Sequence, residues 1–162
     1  MSSTSVKTFA STDPGASALS GTAGSQLAIV KTCLVDGRGA GAVATLVVAA
    51  GIATANYAAG HPFAVGSVGL FAGATPVELN GEKRILSAST TAVTFAAPGV
   101  ADGAATGSIT SKLAAAGWQQ LYAGTNLAAL KPSVVEATGC VLRVDDTGTI
   151  NARVRAFESM TD

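Results

Sequence analysis

The chain has 162 residues, of which 48% are hydrophobic and only 12% charged, and its formal net charge is zero. This composition is the opposite of the disordered signature, and the length suits one ordinary domain or two small ones. With no lysine or arginine cluster, the charge balance argues against nucleic acid as the main partner, since polymerised phosphate needs many basic contacts. Small residues dominate throughout, and so little charge suits a subunit packed against copies of itself or other proteins.

Met1 to Ser5 has neither an apolar run nor a basic start, so no signal peptide is expected. Residues 1–18 read as an arm, with Val6 to Phe9 as a short strand and Asp13-Pro14-Gly15 as a turn, that orders on contact with a neighbour. Ser20, Thr22 and Ser25 offer N-caps for a helix running to about Val35. Leu27, Val30 and Leu34 fall on one face of it, and Gly37 supplies a C-terminal stop. The β-branched Ile29, Val30 and Val35 leave a strand reading of Leu27 to Val35 open.

Gly37-Arg38-Gly39-Ala40-Gly41 marks a hinge. It lacks the strand-to-helix setting and the third glycine of a dinucleotide loop, so no nucleotide site is assigned to it. From Gly39 to Val77 the sequence contains no Asp, Glu, Lys or Arg. The length of Ala40 to Ala59 raises a membrane helix. Thr45, Gly51, Thr54 and Asn56 make it only mildly apolar, and a β reading explains more. Val43 to Ala49 and Ile52 to Tyr57 are strands around an Ala50-Gly51 turn. Gly60-His61-Pro62-Phe63 is a loop and Val68 to Phe71 a strand. Gly73 to Asn80 is a long turn closed by Asn80-Gly81. Glu82 to Ser87 and Ala92 to Ala96 are strands, Pro98 to Gly103 a loop, and Ala104 to Ser111 a last strand. Short strands with regular turn signals suit a small closed barrel or a sandwich.

Beyond Ala114 the character changes. Trp118 and Tyr122 stand beside an Ala123-Gly124-Thr125-Asn126 turn, and Leu127 to Leu130 lead towards a hairpin. There Cys140, Leu142 and Val144 alternate with Val141 and Arg143. After Asp145-Asp146-Thr147-Gly148, Ile150, Ala152, Val154 and Ala156 alternate with Asn151, Arg153, Arg155 and Phe157. A loop from Asp145 to Thr149 sets Val144 opposite Ile150 and Leu142 opposite Ala152. One face is then apolar and the other carries Arg143, Arg153 and Arg155, and a slip of one residue would mix them. Trp118 and Tyr122 are expected to pack on the apolar face as core or interface anchors. With so few acidic residues in the chain, the arginine face is expected at a subunit interface, against acidic groups or carbonyls of a neighbour.

Catalytic chemistry finds little support. The single histidine, His61, reads as a turn and packing residue, and no nucleophile elbow appears. Glu78 and Glu82 flank a turn without a visible cleft. Asp145 and Asp146 read as turn residues beside arginines, not as a calcium series. Cys33 and Cys140 have no metal-type spacing and are expected as free thiols. No catalytic, cofactor-binding or metal-binding residue is assigned, and no cofactor is expected.

Four stretches together resemble a family of tailed-bacteriophage and prophage structural proteins. They are Ala10-Ser11-Thr12-Asp13-Pro14-Gly15-Ala16 with Leu19-Ser20-Gly21-Thr22-Ala23-Gly24-Ser25; Cys33-Leu34-Val35-Asp36-Gly37; Gly117-Trp118 with Ala123-Gly124-Thr125-Asn126; and Leu142-Arg143-Val144-Asp145-Asp146 with Ala152 to Met160. In relatives the third stretch often follows the second closely, so residues 42–112 look inserted. Within them, His61-Pro62-Phe63, Val65-Gly66, Gly73-Ala74-Thr75-Pro76 and Leu79-Asn80-Gly81 are similar to a small β module of phage virion proteins. Relatives often continue beyond the Glu-Ser-Met stretch, and a function residing in such an extension is expected to be absent.

The expected architecture is mainly β. Residues 1–41 and 113–162 form a discontinuous assembly unit of N-terminal arm, one short helix and C-terminal hairpin, and residues 42–112 form an inserted β-barrel or sandwich module. The resemblance implies a non-enzymatic, multicopy virion protein of the tail or capsid shell, made in the bacterial host cytoplasm. Its expected partners are copies of itself and other virion proteins, with neither nucleic acid nor membrane. The rival is a module of the virion that grips a host-surface sugar or receptor.

Overall fold

A computed structural model describes residues 3–134 and 139–160. The protein is mainly β, with one short helix, and its chain divides into two compact units. The first contains the residues up to Ala16 and Arg38–Ala114; the second contains Ser17–Gly37 and the residues from Ala115 onward.

The first unit is a barrel built from β1 (Arg38–Ala42), β2 (Thr45–Ala49), β3 (Ile52–Asn56), β4 (Val68–Ala72), β5 (Gly81–Ala88), β6 (Ala92–Ala96), β7 (Gly103–Ala104) and β8 (Thr110–Leu113). All pairings are antiparallel, in the order β1-β8-β4-β5-β6-β3-β2-β7. The sheet closes because β1 runs on into β2 and β7 runs on into β8, and these two bent strands pair along their length. Gly41 stands opposite Ser111 and Val47 opposite Ala104. Between these pairs the Val43 N–H donates to the Ile109 carbonyl at 2.9 Å and the Ala105 N–H to the Leu46 carbonyl at 2.8 Å. The expected Ala104 to Ser111 strand is thus two segments around a bend, and closure removes the free edges of an open sheet.

Period-two alternation fills the interior. Leu46, Val48, Ala53, Ala55, Val93 and Phe95 are buried, and the Phe71 and Phe95 rings lie 4.6 Å apart between centroids. Ala50 and Gly51 both take left-handed backbone (φ 50° and 75°), the conformation that suits a two-residue hairpin turn to the twist of its strands. The Tyr57 hydroxyl is buried against Ser111 Oγ at 2.9 Å; burial raises its pKa and the Ser111 hydrogen bond opposes that rise. The turn from Gly73 to Asn80 is knotted by Asn80, whose side chain accepts from the Ala74 N–H and donates to the Ala74 carbonyl, both at 2.8 Å. A Cβ at Gly73 would collide with the Ser108 carbonyl, so glycine is required where the two backbones touch.

The arm lies with the barrel, not with the helix and hairpin. Phe9 packs on the barrel core. Arg84 donates to the carbonyls of Ser3 and Val6, Lys7 pairs with Glu82 at 3.0 Å, and Asp13 pairs with Arg38 at 2.9 Å. The expected hinge residue Arg38 is therefore the first residue of β1 and a partner of the arm. Residues 3–16 thus make contacts within the chain, which the arm reading did not include; residues 1 and 2 lie outside the described residues.

The second unit packs α1 (Ser25–Lys31) and a following π-helical turn, Thr32–Asp36, on a sheet of β9 (Trp118–Gly124), β10 (Leu127–Pro132), β11 (Val141–Asp145) and β12 (Arg153–Phe157), in the order β12-β11-β10-β9. Leu27, Val30, Leu34 and Val35 meet Ala128, Leu130 and Val144 across the interface. Gly37, at φ 71°, ends the helical segment as expected. The cap at its start is different. Ser20 and Thr22 bond to each other at 2.7 Å, and Gly24 at the N-cap position brings no side chain. Asp146 supplies the cap instead: its Oδ2 accepts from the N–H groups of Gln26 at 2.8 Å and Leu27 at 3.0 Å, and its backbone carbonyl accepts from Gly24 at 2.9 Å.

That role corrects the expected hairpin. Asp146 turns towards the helix and is 4% exposed, so it cannot sit in a tight surface turn. The connection lengthens to residues 146–152, and Val144 stands opposite Val154, with Leu142 opposite Ala156. The slip from the expected register is four residues. An even slip leaves every side chain on the face assigned to it.

The unit boundaries predict that the second unit folds by itself. A chain of residues 17–37 joined by a short Gly-Ser bridge to residues 115–162 should unfold cooperatively in urea, followed by the fluorescence of Trp118, the chain's single tryptophan. The bridge has little distance to span, because the Ala116 N–H donates to the Cys33 carbonyl at 2.9 Å. A non-cooperative transition would refute its autonomy.

Candidate interaction surface

The two faces of the four-stranded sheet differ in character. Pairing places Tyr122, Ala129, Arg143 and Arg155 in one row across it, and Gly124, Leu127, Asp145 and Arg153 in the next. Since Ala128, Leu130 and Val144 point to the helix, alternation puts these rows on the opposite face. Arg143, Arg153 and Arg155 therefore share a surface. Tyr122 joins them. Trp118 does not: a register shift between Ala129 and Leu130 moves it to the helix side, where it packs in the core with Leu34 and Leu130.

Charge on the arginine face is only partly balanced. Asp145 Oδ2 lies 3.4 Å from Arg143 Nη2, while its Oδ1 accepts the Thr147 hydroxyl at 2.7 Å. The Thr147 hydrogen bonds, followed by the charges of Arg143 and Arg153, hold the Asp145 carboxyl below the usual carboxylate range. Arg155 stands directly opposite Arg143, an arrangement of like charges that destabilises a strand pair. A small open groove of about 90 Å³ is lined by Arg143 together with Tyr122, Gly124, Ala129 and Met160.

The strand that carries two of these arginines is also an edge. Every residue of β12 is exposed, including Val154 and Phe157. β9, at the other edge, has the Thr32–Asp36 turn beside it. Next to β12 the loop of residues 146–152 carries Ile150, 90% exposed, at the rim of an open concavity of about 370 Å³ lined by Asp145, Thr147 and Arg153.

The other residues considered for chemistry have structural roles. His61 accepts the Phe63 N–H on Nδ1 at 3.2 Å, and its ring lies against Tyr57 and Phe63. Glu82 holds Lys7, and the Glu78 carbonyl takes the Lys83 ammonium at 2.6 Å. Cys33 and Cys140 are not joined in a disulfide. Among the described residues no group of three or more His, Cys, Asp and Glu side chains is placed to hold a metal ion, and no helix is long and apolar enough to cross a membrane. Compared with known protein families, curated proteins and solved structures, the chain finds no match.

What sequence reasoning missed is β9 and β10. Gln119, Gln120, Leu121 and the alanines of Leu127 to Leu130 carry no clear alternation, and a register shift breaks the period between the strands. Substitutions at two positions test the surface and its support. Asp146→Ala should destabilise the second unit by about 2 kcal/mol, the combined scale of a lost cap and a charged hydrogen bond. Asp146→Asn, which keeps an acceptor, should cost less; equal midpoints for both variants in Trp118-monitored urea unfolding would refute the capping role. Arg155→Thr removes the like-charge pair with Arg143 and should raise the same midpoint slightly. A fall would show that Arg155 has a stabilising partner within the chain.

Proposed function

We propose that this chain is a non-enzymatic structural protein of a bacteriophage virion, a multicopy subunit of the tail or capsid shell that assembles through protein–protein contacts. The family context comes from the sequence resemblance described above. The observation that carries the assembly role is the contrast between the two units. One is a barrel with its edges closed, and the other ends in an exposed edge strand that carries two arginines, beside which Asp145 is the one carboxylate paired with the arginine face among the described residues. Isolated domains blunt such edges, whereas assembling ones use them to pair with another chain.

The barrel exterior supports the same role. Thr45, Val47, Ala49, Ile52, Thr54, Asn56, Ala92, Thr94 and Ala96 alternate with the core residues of β2, β3 and β6, and none is charged. Small uncharged side chains let another protein approach closely without desolvating ions. The test is abundance in the particle. Quantitative mass spectrometry of purified virions should find this chain in many copies, on the scale of the other shell or tube proteins. Its absence, or presence in only a few copies as expected of a receptor binder, would overturn the reading.

A further inference from the structure

We propose that β12 and the arginine face beside it bind an extended acidic segment of another protein, a strand with carboxylates at alternate positions laid along Arg153–Phe157. This deepens the assembly role proposed above and rests on it, by naming the chemistry of the partner.

Three observations converge on this surface. First, among the described residues β12 has no strand on its outer side, and all its residues are exposed. Its outward backbone N–H and C=O groups are a template for one more strand. Second, Arg153 and Arg155 are two residues apart on that strand, so their side chains emerge on one face about 7 Å apart. An added strand has the same pitch, and carboxylates at its alternate positions meet both. Third, Arg143 is set directly opposite Arg155 one strand further in. Charge on an edge strand serves by itself to discourage unwanted pairing. That purpose does not require a second arginine on the inner strand, where it adds repulsion. A carboxylate seated near both guanidinium groups relieves the repulsion and accepts hydrogen bonds from each.

The chain does not carry its own complement. Its acidic residues are Asp13, Asp36, Glu78, Glu82, Asp102, Glu136, Asp145, Asp146, Glu158 and Asp162, and no two of them are two residues apart. A second copy therefore lacks the alternating carboxylates, and the partner is a different polypeptide. Nucleic acid fits less well, because Asp145 lies in the row of Arg153 and a sheet edge offers backbone pairing that only a peptide returns.

The experiment uses the full chain and a blocked hexapeptide of alternating glutamate and valine, with a lysine–valine peptide as control, followed by backbone amide NMR shifts. The glutamate peptide should move the amides of residues 153–157 and those of their β11 partners, and the lysine peptide should not. Arg155→Gln and Arg153→Gln should each weaken binding about tenfold while leaving the rest of the spectrum unchanged. The inference is overturned if the β12 amides do not move, if both peptides act alike, if the variants bind as tightly as the parent, or if an oligothymidylate displaces the peptide. Because this assay needs only the purified chain, its failure leaves the copy number in virions untouched; absence from virions likewise leaves the peptide result standing.

Discussion

The Asp146 carboxylate accepts backbone N–H groups of a helix that lies 120 residues earlier in the chain. That contact organises the second unit. A helix of seven residues is too short to persist by itself, since its first turn costs conformational entropy before any hydrogen bond returns it. Four N–H groups at its start need acceptors, and its own N-cap residue is a glycine without one. Asp146 satisfies two of them from the end of β11, and its charge is favourable at the positive end of the helix. The backbone of Asp146 is equally committed, accepting from Gly24 and donating to Asn126 at 2.8 Å. One residue thereby fixes the start of the helix, the end of β11 and the β9–β10 turn. With those positions fixed, Leu27, Val30 and Leu34 meet the sheet.

The same commitment shapes the surface. An aspartate pulled inward cannot close a tight hairpin, so the connection to β12 is long and Ile150 stands out from it. The strand that returns pairs with β11 on one side only. The barrel shows the opposite solution. There, two bent strands find each other and leave no edge, and the arm is strapped on by Arg84, Lys7 and Asp13. Backbone pairing capacity is saturated in one unit and left over on β12 in the other, which is the physical ground of the assembly role proposed for that edge.

Much of the barrel was legible because its strands alternate strictly and its turns carry strong signals. Ala50-Gly51 and Asn80-Gly81 punctuate the chain where the structure turns. His61-Pro62-Phe63 and Leu79-Asn80-Gly81 belong to the packing of the barrel: Phe63 and Leu79 are core residues, and Asn80 ties its turn. The three arginines were placed on one face from their spacing alone, and an even register slip kept them there. Other features depend on contacts distant in sequence. Ser20, Thr22 and Ser25 are all chemically competent caps, and only the fold shows that Asp146 takes the position. The small polar residues of the arm carry no strong local signal. What holds it to the barrel includes Arg84, far along the chain, reaching the carbonyls of Ser3 and Val6.

The Arg143–Arg155 pair bears most directly on function. In a chain with ten basic and ten acidic residues, enough carboxylates exist to balance each arginine. The structure spends them elsewhere. Glu82 and Asp13 hold the arm, Asp146 caps the helix, and the Asp102 carboxylate accepts the Ala50 N–H at 2.9 Å. Among the described residues only Asp145 serves the arginine face, and it is shared among Arg143, Arg153 and Thr147. A balance that is even over the whole chain is therefore uneven in space. The excess positive charge collects beside unpaired backbone groups, where an acidic strand satisfies both deficits at once.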